Sequence, residues 1–230
     1  MGIYTRLARF RPKQHCAVCA GSSTHVVCQS CEDEFSASEW RCLSCALPLN
    51  QSLDYCGNCL RTSPSFHRAF TLYDYEGVVA FLIKKMKYEA RLSVAQFFAG
   101  KVAEKIGEMQ SSGHHYDAFI PMPLHKKRIR ERGYNQVIEL LRSLKSTSPI
   151  ETNSAQRVKQ TTPLTDLTLA QRKKEIKGAF NLLVPLTYKS ILLVDDVMTT
   201  GSTASACAKI LLENGASSIE ILTITRGIPA

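Results

Sequence analysis

Four Cys-x-x-Cys pairs in the first quarter of the chain constrain its fold more than any other feature. Eight, ten and ten residues separate the successive pairs. Two sulfurs at this spacing can face one ion, and two pairs complete the tetrahedral thiolate shell of a structural zinc. The pattern therefore predicts two zinc sites with no ligand left over. The eight predicted ligands are Cys16, Cys19, Cys28, Cys31, Cys42, Cys45, Cys56 and Cys59.

Disulfide bonds and redox chemistry are the alternatives for these cysteines. The N-terminus has basic residues but neither the apolar segment nor the cleavage site of a secretory signal. We therefore expect a cytoplasmic protein, in a compartment that keeps thiols reduced. A redox Cys-x-x-Cys normally occurs once, beside a βαβ unit. Consecutive pairing of the motifs is favoured because short loops lose less closure entropy, although interleaved pairing also satisfies both ions.

The cysteine pattern also predicts two domains. About sixty residues bury little apolar core, so metal is the expected source of stability at residues 1–62. Phe35 and Trp40 are expected to form a small core there. Residues 61–64 are a predicted linker, and residues 65–230 form the second domain. Its single cysteine, Cys207, lies in an apolar helical stretch and is expected in the core.

Apolar runs alternate with helical patterns in the second domain, which predicts a largely parallel α/β sheet. Ligands bind such sheets at the carboxyl ends of the strands. The predicted strands are 66–75, 116–122, 179–184, 190–194 and 218–225, and the predicted helices are 77–88, 92–108, 132–145, 169–177 and 203–214.

Two segments carry the whole net charge of +9: residues 125–145 hold +5 and residues 157–177 hold +4. A concentrated basic region is typical of a phosphate or nucleic-acid surface, and a merely solvated face is the alternative. Tyr134 could stack on a base or pack between helices. The candidate DNA contacts are Lys126, Lys127, Arg128, Arg130, Arg132, Arg172, Lys173 and Lys174.

The string ILLVDDVMTTGST at 191–203 combines a buried strand, two carboxylates and a hydroxyl-rich turn that opens a helix. Backbone N–H groups at such a helix start can cradle a phosphate, and Gly201 permits close approach. Asp195 and Asp196 would repel a phosphate, so vicinal ribose hydroxyls with a nearby Mg²⁺ are the fitting partners. A well-capped helix alone explains the hydroxyls but not the two acids.

This string resembles, at every restricted position, the 5-phosphoribosyl-1-pyrophosphate (PRPP) motif of type I phosphoribosyltransferases. A second string, PMPLHKKRIRERGYNQ at 121–136, is similar to the hallmark of the ComF family of competence proteins. That family also carries an N-terminal double zinc ribbon, and residues 157–180 resemble its hood. The resemblance covers nearly the whole chain.

The resemblance implies a type I phosphoribosyltransferase-like fold: a mostly parallel sheet flanked by helices, with a small N-terminal double zinc ribbon. It implies PRPP with Mg²⁺ as ligand and no protein nucleophile, with Lys126 or Arg128 neutralising the pyrophosphate. The implied PRPP-binding residues are Asp195, Asp196, Thr199, Thr200, Gly201, Ser202 and Thr203. The implied pyrophosphate-binding residues are Leu124, His125, Lys126 and Arg128; for His125, a polar residue that merely leads a helix is an equal alternative.

Three functions remain open at this point. The first is a ComF-like competence protein that handles single-stranded DNA during natural transformation, at the inner side of the cell membrane and with other competence or DNA-processing proteins. The second is an active phosphoribosyltransferase that transfers ribose 5-phosphate from PRPP to a nucleobase-like acceptor. The third is a zinc-ribbon adaptor for a DNA-processing partner. The cationic excess favours the first, and the intact acid pair favours the second.

Overall fold

The computed structural model describes residues 14–159 and 178–228. Its cysteine-rich part contains only short elements, since the cysteines rather than a long helix or strand organise this segment. A two-residue antiparallel ribbon and two short helices are separated by turns. These elements are β1 (Gln14–His15), β2 (Ser22–Ser23), α1 (Gln29–Glu32) and α2 (Gly57–Arg61).

A four-stranded parallel sheet forms the centre of the described chain, as the alternation of strands and helices predicts. Its strands are β3 (Arg68–Asp74), β4 (Ala118–Pro121), β7 (Ser190–Met198) and β8 (Ser218–Arg226). Their spatial order is β3-β8-β7-β4. A separate antiparallel pair consists of β5 (Ala155–Arg157) and β6 (Phe180–Leu182).

Helices cover both faces of the sheet, and apolar side chains alternate along the strands to meet them. The helices are α3 (Gly77–Tyr88), α4 (Leu92–Ser111), α5 (Lys126–Arg132), α6 (Gln136–Leu141) and α7 (Ser202–Glu213). Along β7, Leu192 and Val194 belong to the core on the face of α3 and α4, whereas Ile191 and Leu193 belong to the core on the face of α7. Gly215 follows α7 at a φ of 106°, where a glycine is the expected stop.

The cysteine-rich segment covers the edge of the sheet. The N–H of Ala69 donates to the carbonyl of Ser44 at 2.9 Å, and the N–H of Asp74 donates to the carbonyl of Ser36 at 2.9 Å. Arg41 pairs with the Asp74 carboxylate at 2.8 Å. These contacts satisfy backbone groups of the edge strand β3, which would otherwise be free to pair with another chain.

The helix predicted over 132–145 is wrong in its bounds. The structure has two helices there, α5 and α6, because Gly133 ends the first in a left-handed conformation with φ 80°. The Asn135 side chain then accepts a hydrogen bond from the N–H of Val137 at 3.0 Å and caps the second.

The expected small core of Phe35 and Trp40 is also wrong. Trp40 is 40% exposed. Phe35 packs outward from the cysteine-rich part, with its ring edge-on to Tyr73 at 5.0 Å and to Phe97 at 6.0 Å. Apolar side chains of β3 and α4 supply the surface that so short a segment lacks.

Candidate functional site

The eight cysteines form two compact clusters that pair consecutively, as the loop-length argument favours. The first cysteine cluster is Cys16, Cys19, Cys28 and Cys31, and the second is Cys42, Cys45, Cys56 and Cys59. Within each cluster all four sulfurs lie within 4.8 Å of one another. The sulfurs of Cys19 and Cys28 are 3.8 Å apart, and those of Cys45 and Cys56 are 3.7 Å apart. Tetrahedral zinc with Zn–S bonds of about 2.3 Å requires sulfurs about 3.8 Å apart, so both clusters could hold zinc.

Backbone amides support thiolates in the first cluster. The N–H groups of Val18 and Cys28 donate to the Cys16 sulfur at 3.4 and 3.3 Å. Burial raises the pKa of this thiol, but the amide donors outweigh burial and lower the pKa of Cys16 to about 6. Hydrogen bonding to Cys28 raises the pKa of Cys31 to about 12, so full ionisation of the cluster needs a cation at its centre.

Residues 199–203, the turn after β7 and the first two residues of α7, have the form of an anion cradle; we call this segment the hydroxyl loop. Gly201 adopts a left-handed conformation with φ 76° at the N-cap of α7. Gly201 has no side chain that could cap the first turn of this 12-residue helix, and the N–H of Ser202 donates to the Thr200 hydroxyl at 3.3 Å. Amides at such a helix start can turn to an anion instead. The Thr200 and Ser202 hydroxyls lie 2.9 Å apart at the same helix start.

Asp195 and Asp196 lie within β7, which continues through both acids to Met198 rather than ending at Val194. Neighbouring residues of a strand point to opposite faces. Asp195 lines a cavity beside the hydroxyl loop. Asp196 is buried, and its carboxylate pairs with the Lys87 ammonium of α3 at 2.8 Å.

The surroundings of Asp195 change its ionisation. Burial first, and then the negative charge of Asp196, raise the pKa of Asp195 to about 7, although Lys87 acts in the opposite direction. A carboxyl group with this pKa changes charge near neutral pH, so a cation or hydroxyl ligand can shift it to the ionised form.

The cavity beside the hydroxyl loop has a volume of about 250 Å³ and combines anion-binding and hydroxyl-binding groups. Its lining includes Asp195 of β7 and four residues of the hydroxyl loop, Thr199, Thr200, Gly201 and Thr203. Among the described residues, five cationic side chains also line it: Lys84, Lys87, Arg128, Arg132 and Arg157. Such a surface suits a small ligand with more than one phosphate group.

Helix α5 divides the predicted basic cluster between two faces. Arg128 and Arg132, four residues apart, line the cavity. Lys126, Lys127 and Arg130 are exposed and do not line it. The sequence places these five cations within seven positions, but only the helix separates them into an inner pair and an outer trio.

The strand-to-helix loop before α5 contributes less to the cavity than the resemblance implies. Of Leu124, His125, Lys126 and Arg128, only Arg128 is among the lining residues. The His125 side chain accepts a hydrogen bond from the N–H of Lys127 at 3.2 Å and so caps α5. The Tyr134 hydroxyl donates to the carbonyl of Met86 at 3.0 Å, which matches packing between helices.

Sequence reasoning missed the contribution of α3. Lys84, Lys87 and Tyr88 line the cavity, and the Arg132 guanidinium lies over the Tyr88 ring at 5.9 Å. Outside the two basic segments, positive and negative side chains balance, so the net charge of the chain does not indicate that α3 contributes to the cavity. The string KKMKY at the end of α3 is the signal that could have indicated it.

Arg157 connects the hood-like segment to the cavity. Its guanidinium lies 5.6 Å from the centre of the Phe180 ring, across the β5–β6 pair. Burial, and next the positive charge of Arg128, lower the pKa of Arg157. The predicted helix 169–177 and the candidate DNA contacts Arg172, Lys173 and Lys174 lie outside the described residues. Within the described residues, no helix combines the length and apolar character that crossing a membrane requires.

The sequence is similar, over most of its length, to proteins named for DNA utilization or for competence. The sequence is 30% identical to the DNA utilization protein YhgH of Shigella flexneri over 204 residues, covering 87% of this chain and 90% of that protein. It is 28% identical to competence protein F of Haemophilus influenzae over 225 residues, covering 92% and 96%. It is 24% identical to competence protein ComFC of Bacillus subtilis over 218 residues, covering 92% and 77%.

A comparison with models of protein families gives no match. The full-length similarity to YhgH and to the competence proteins, together with the two four-cysteine clusters and the parallel α/β sheet, leads to one conclusion. The chain belongs to the ComF family of competence proteins.

Proposed function

We propose that this protein handles single-stranded DNA during natural transformation and binds PRPP, or a related phosphate ligand, in the cavity beside the hydroxyl loop. The observation that carries the proposal is the division of cations on α5. Arg128 and Arg132 line the cavity, whereas Lys126, Lys127 and Arg130 remain exposed. One small ligand engages the inner pair, and a longer polyanion can engage the outer trio as well.

The cavity supports the PRPP assignment through its mixed chemistry. The hydroxyl loop would hold the 5-phosphate, Asp195 the ribose hydroxyls, and the inner arginines the pyrophosphate. Asp196 would act through Lys87, with which it pairs. Mg²⁺ would accompany the pyrophosphate, since carboxylate and phosphate oxygens are its preferred ligands.

The names of the relatives support the DNA part of the proposal. The Haemophilus influenzae and Bacillus subtilis relatives are named competence proteins, and the Shigella flexneri relative is named for DNA utilization. We infer the same process for this chain, at the inner side of the cell membrane and with competence or DNA-processing proteins as partners.

We also propose that residues 1–62 and residues 65–230 form two domains.

Fluorescence anisotropy of a labelled single-stranded oligonucleotide tests the proposal. Binding should weaken with salt and be weaker for a duplex. Replacing Lys126, Lys127 and Arg130 by alanine should lower the affinity for the oligonucleotide at least about tenfold and leave PRPP binding unchanged. Replacing Arg128 and Arg132 should abolish PRPP binding, and Lys105→Ala on α4 is the matched control for loss of a surface charge.

Competition distinguishes the ligand sites. If PRPP with Mg²⁺ displaces the oligonucleotide, the strand enters the cavity; if both bind together, the strand follows the outer trio. An oligonucleotide that does not bind even at low salt contradicts the DNA proposal.

Phosphoribosyl transfer is a second candidate, favoured by Asp195 in the cavity. A surface that binds only a DNA backbone gains nothing from a carboxylate among its cations. Incubation with PRPP, Mg²⁺ and a panel of nucleobases should then release pyrophosphate in a base-dependent manner. No release with any base, in a protein that binds PRPP, would restrict the cavity to a binding role.

A further inference from the structure

Arg226, at the end of β8, is a buried cation placed between the second cysteine cluster and the hydroxyl loop. Its side chain donates to the carbonyl of Cys45 from Nε at 2.8 Å and lies 3.8 Å from the Cys45 sulfur through Nη2. Nη1 donates to the carbonyls of Met198, at 3.2 Å, and of Thr199. One guanidinium thus connects a metal-binding turn to the start of the hydroxyl loop.

The burial of Arg226 requires a negative counter-charge. The residue is 2% exposed. Among the described residues, it forms no ion pair with a carboxylate, and its other acceptors are carbonyl oxygens. A buried cation without a counter-charge is strongly unfavourable. A zinc ion with four thiolates carries a net charge of about −2 and would supply that counter-charge beside the Cys45 sulfur.

The two cysteine clusters differ in their relation to the cavity. The second cluster belongs to the core on the α7 face, together with Met198 of β7. A groove lined by Cys45, Cys56 and Cys59 also reaches Thr200 and Ser202, so this cluster lies behind the hydroxyl loop. The first cluster belongs to the core on the opposite face, with α3 and α4.

We propose that metal in the second cysteine cluster holds the hydroxyl loop in its anion-binding conformation through Arg226, and that metal in the first cluster does not. Arg226 is therefore a positioning residue. The part of this proposal that concerns ligand affinity rests on the proposed function of the cavity. The part that concerns the order of the loop does not.

Hydrogen exchange of the full-length zinc-loaded protein tests the order of the loop without any ligand. The variants are Cys42→Ser with Cys45→Ser, the matched Cys16→Ser with Cys19→Ser, and Arg226→Lys, which keeps the charge and all eight cysteines. Two amides hold the shape of the loop: that of Ser202, which donates to the Thr200 hydroxyl, and that of Ser205, which donates to the Gly201 carbonyl. Both should exchange at least about tenfold faster in the second-cluster variant and in Arg226→Lys. They should stay at the wild-type rate in the first-cluster variant.

Amides of β7 and β8 report whether the sheet remains folded. If the second-cluster variant loses that protection as well, Arg226→Lys decides, because its metal ligands are intact. Wild-type exchange of the loop in Arg226→Lys, or equal acceleration by both cluster variants, overturns the proposal.

Titration with ribose 5-phosphate separates this proposal from the proposed function. Variants with a fast-exchanging loop should bind the sugar phosphate at least about tenfold more weakly. By reciprocity, ribose 5-phosphate should raise the affinity of the second cluster for Co²⁺, followed by the visible absorption of bound cobalt in the first-cluster variant. A wild-type protein that does not bind ribose 5-phosphate contradicts the phosphate site, whereas the exchange rates still decide the role of Arg226.

Discussion

Asp195 and Asp196 are adjacent in sequence, but they act on opposite faces of β7. Asp195 lines the cavity, whereas Asp196 pairs with Lys87. The pair therefore supplies one carboxylate that can meet a ligand directly and one that orients a lysine.

Replacing both acids by alanine should abolish PRPP binding, because the ribose hydroxyls lose their acceptor and Lys87 loses its partner. Binding of single-stranded DNA should be unchanged or stronger, since negative charge is removed from a basic surface. Isothermal titration with PRPP and Mg²⁺, beside anisotropy with the oligonucleotide, measures both. Unchanged PRPP affinity would remove the ribose assignment, and Asp117→Ala, at the opposite end of the sheet, is the control.

The raised pKa of Asp195 predicts a pH dependence of stability. A folded-state pKa of about 7, above the unfolded value of 3.8, means that ionisation opposes folding. This contribution to the free energy of unfolding is present below pH about 4 and is lost as the pH rises through about 7. Asp195→Asn should thus gain stability relative to the wild type between pH 5 and 8, in urea unfolding at each pH. A constant difference across that range contradicts the assignment.

The same ionisation predicts the opposite trend for ligand affinity. Mg²⁺ and ribose hydroxyls bind the carboxylate rather than the carboxylic acid, so PRPP affinity should rise from pH 6 to pH 8. The slope should be smaller in Asp195→Asn, in which only the ionisation of the ligand's phosphates still changes the affinity with pH.

At the scale of elements, two left-handed glycines have different roles. Gly133 ends α5 at φ 80°, and an added Cβ would meet nothing within 4 Å there. Gly201 starts α7 at φ 76°, and an added Cβ would lie 3.5 Å from the Met198 sulfur. At Gly133, only the left-handed backbone conformation therefore opposes alanine. Gly201 has the same conformation, but it also lines the cavity.

Alanine at either glycine should lower the free energy of unfolding by about 1 kcal/mol, the expected penalty of a left-handed residue with a Cβ. Only Gly201→Ala should weaken binding of PRPP as well, because the turn presents the amides of the hydroxyl loop. Urea unfolding and PRPP titration of both variants compare the two effects. Equal PRPP affinities would mean that the turn tolerates a side chain.

At the scale of the whole molecule, the cysteine clusters lie on opposite faces of one sheet, and the segment between them pairs with the edge strand β3. The cysteine-rich segment is thus integrated with the α/β core by hydrogen bonds at Ala69 and Asp74. The division into two domains, at 1–62 and 65–230, stays a prediction.

Replacing Cys42 and Cys45 by serine should lower the zinc content from two ions per chain to one, because the two clusters share no ligand. The melting temperature should also fall, since structural zinc contributes directly to folding. Metal analysis by mass spectrometry, beside thermal unfolding, provides both numbers. A zinc content that stays at two would end the assignment of this cluster, and the Cys207→Ser variant controls for loss of a cysteine that binds no metal.

Local sequence patterns determine the cysteine clusters, the strand and helix of the PRPP-like string, and α3. The reason is that ligand spacing, a buried strand and an uninterrupted helical period are properties of neighbouring residues. Gly133 and Asn135 also indicate a break between α5 and α6. The helical period continues across Gly133, however, so the sequence does not show whether one helix ends there and another begins.

Only the tertiary structure decided which side chains share the cavity. Lys87 and Asp196 lie more than one hundred positions apart, and the packing of α3 on the sheet brings them together. The same holds for Arg226 and Cys45, which meet because the cysteine-rich segment covers the edge of the sheet that β8 adjoins. The chain by itself determines the local chemistry of each motif, whereas contacts between distant residues depend on the register and packing of the whole sheet, which no local pattern encodes.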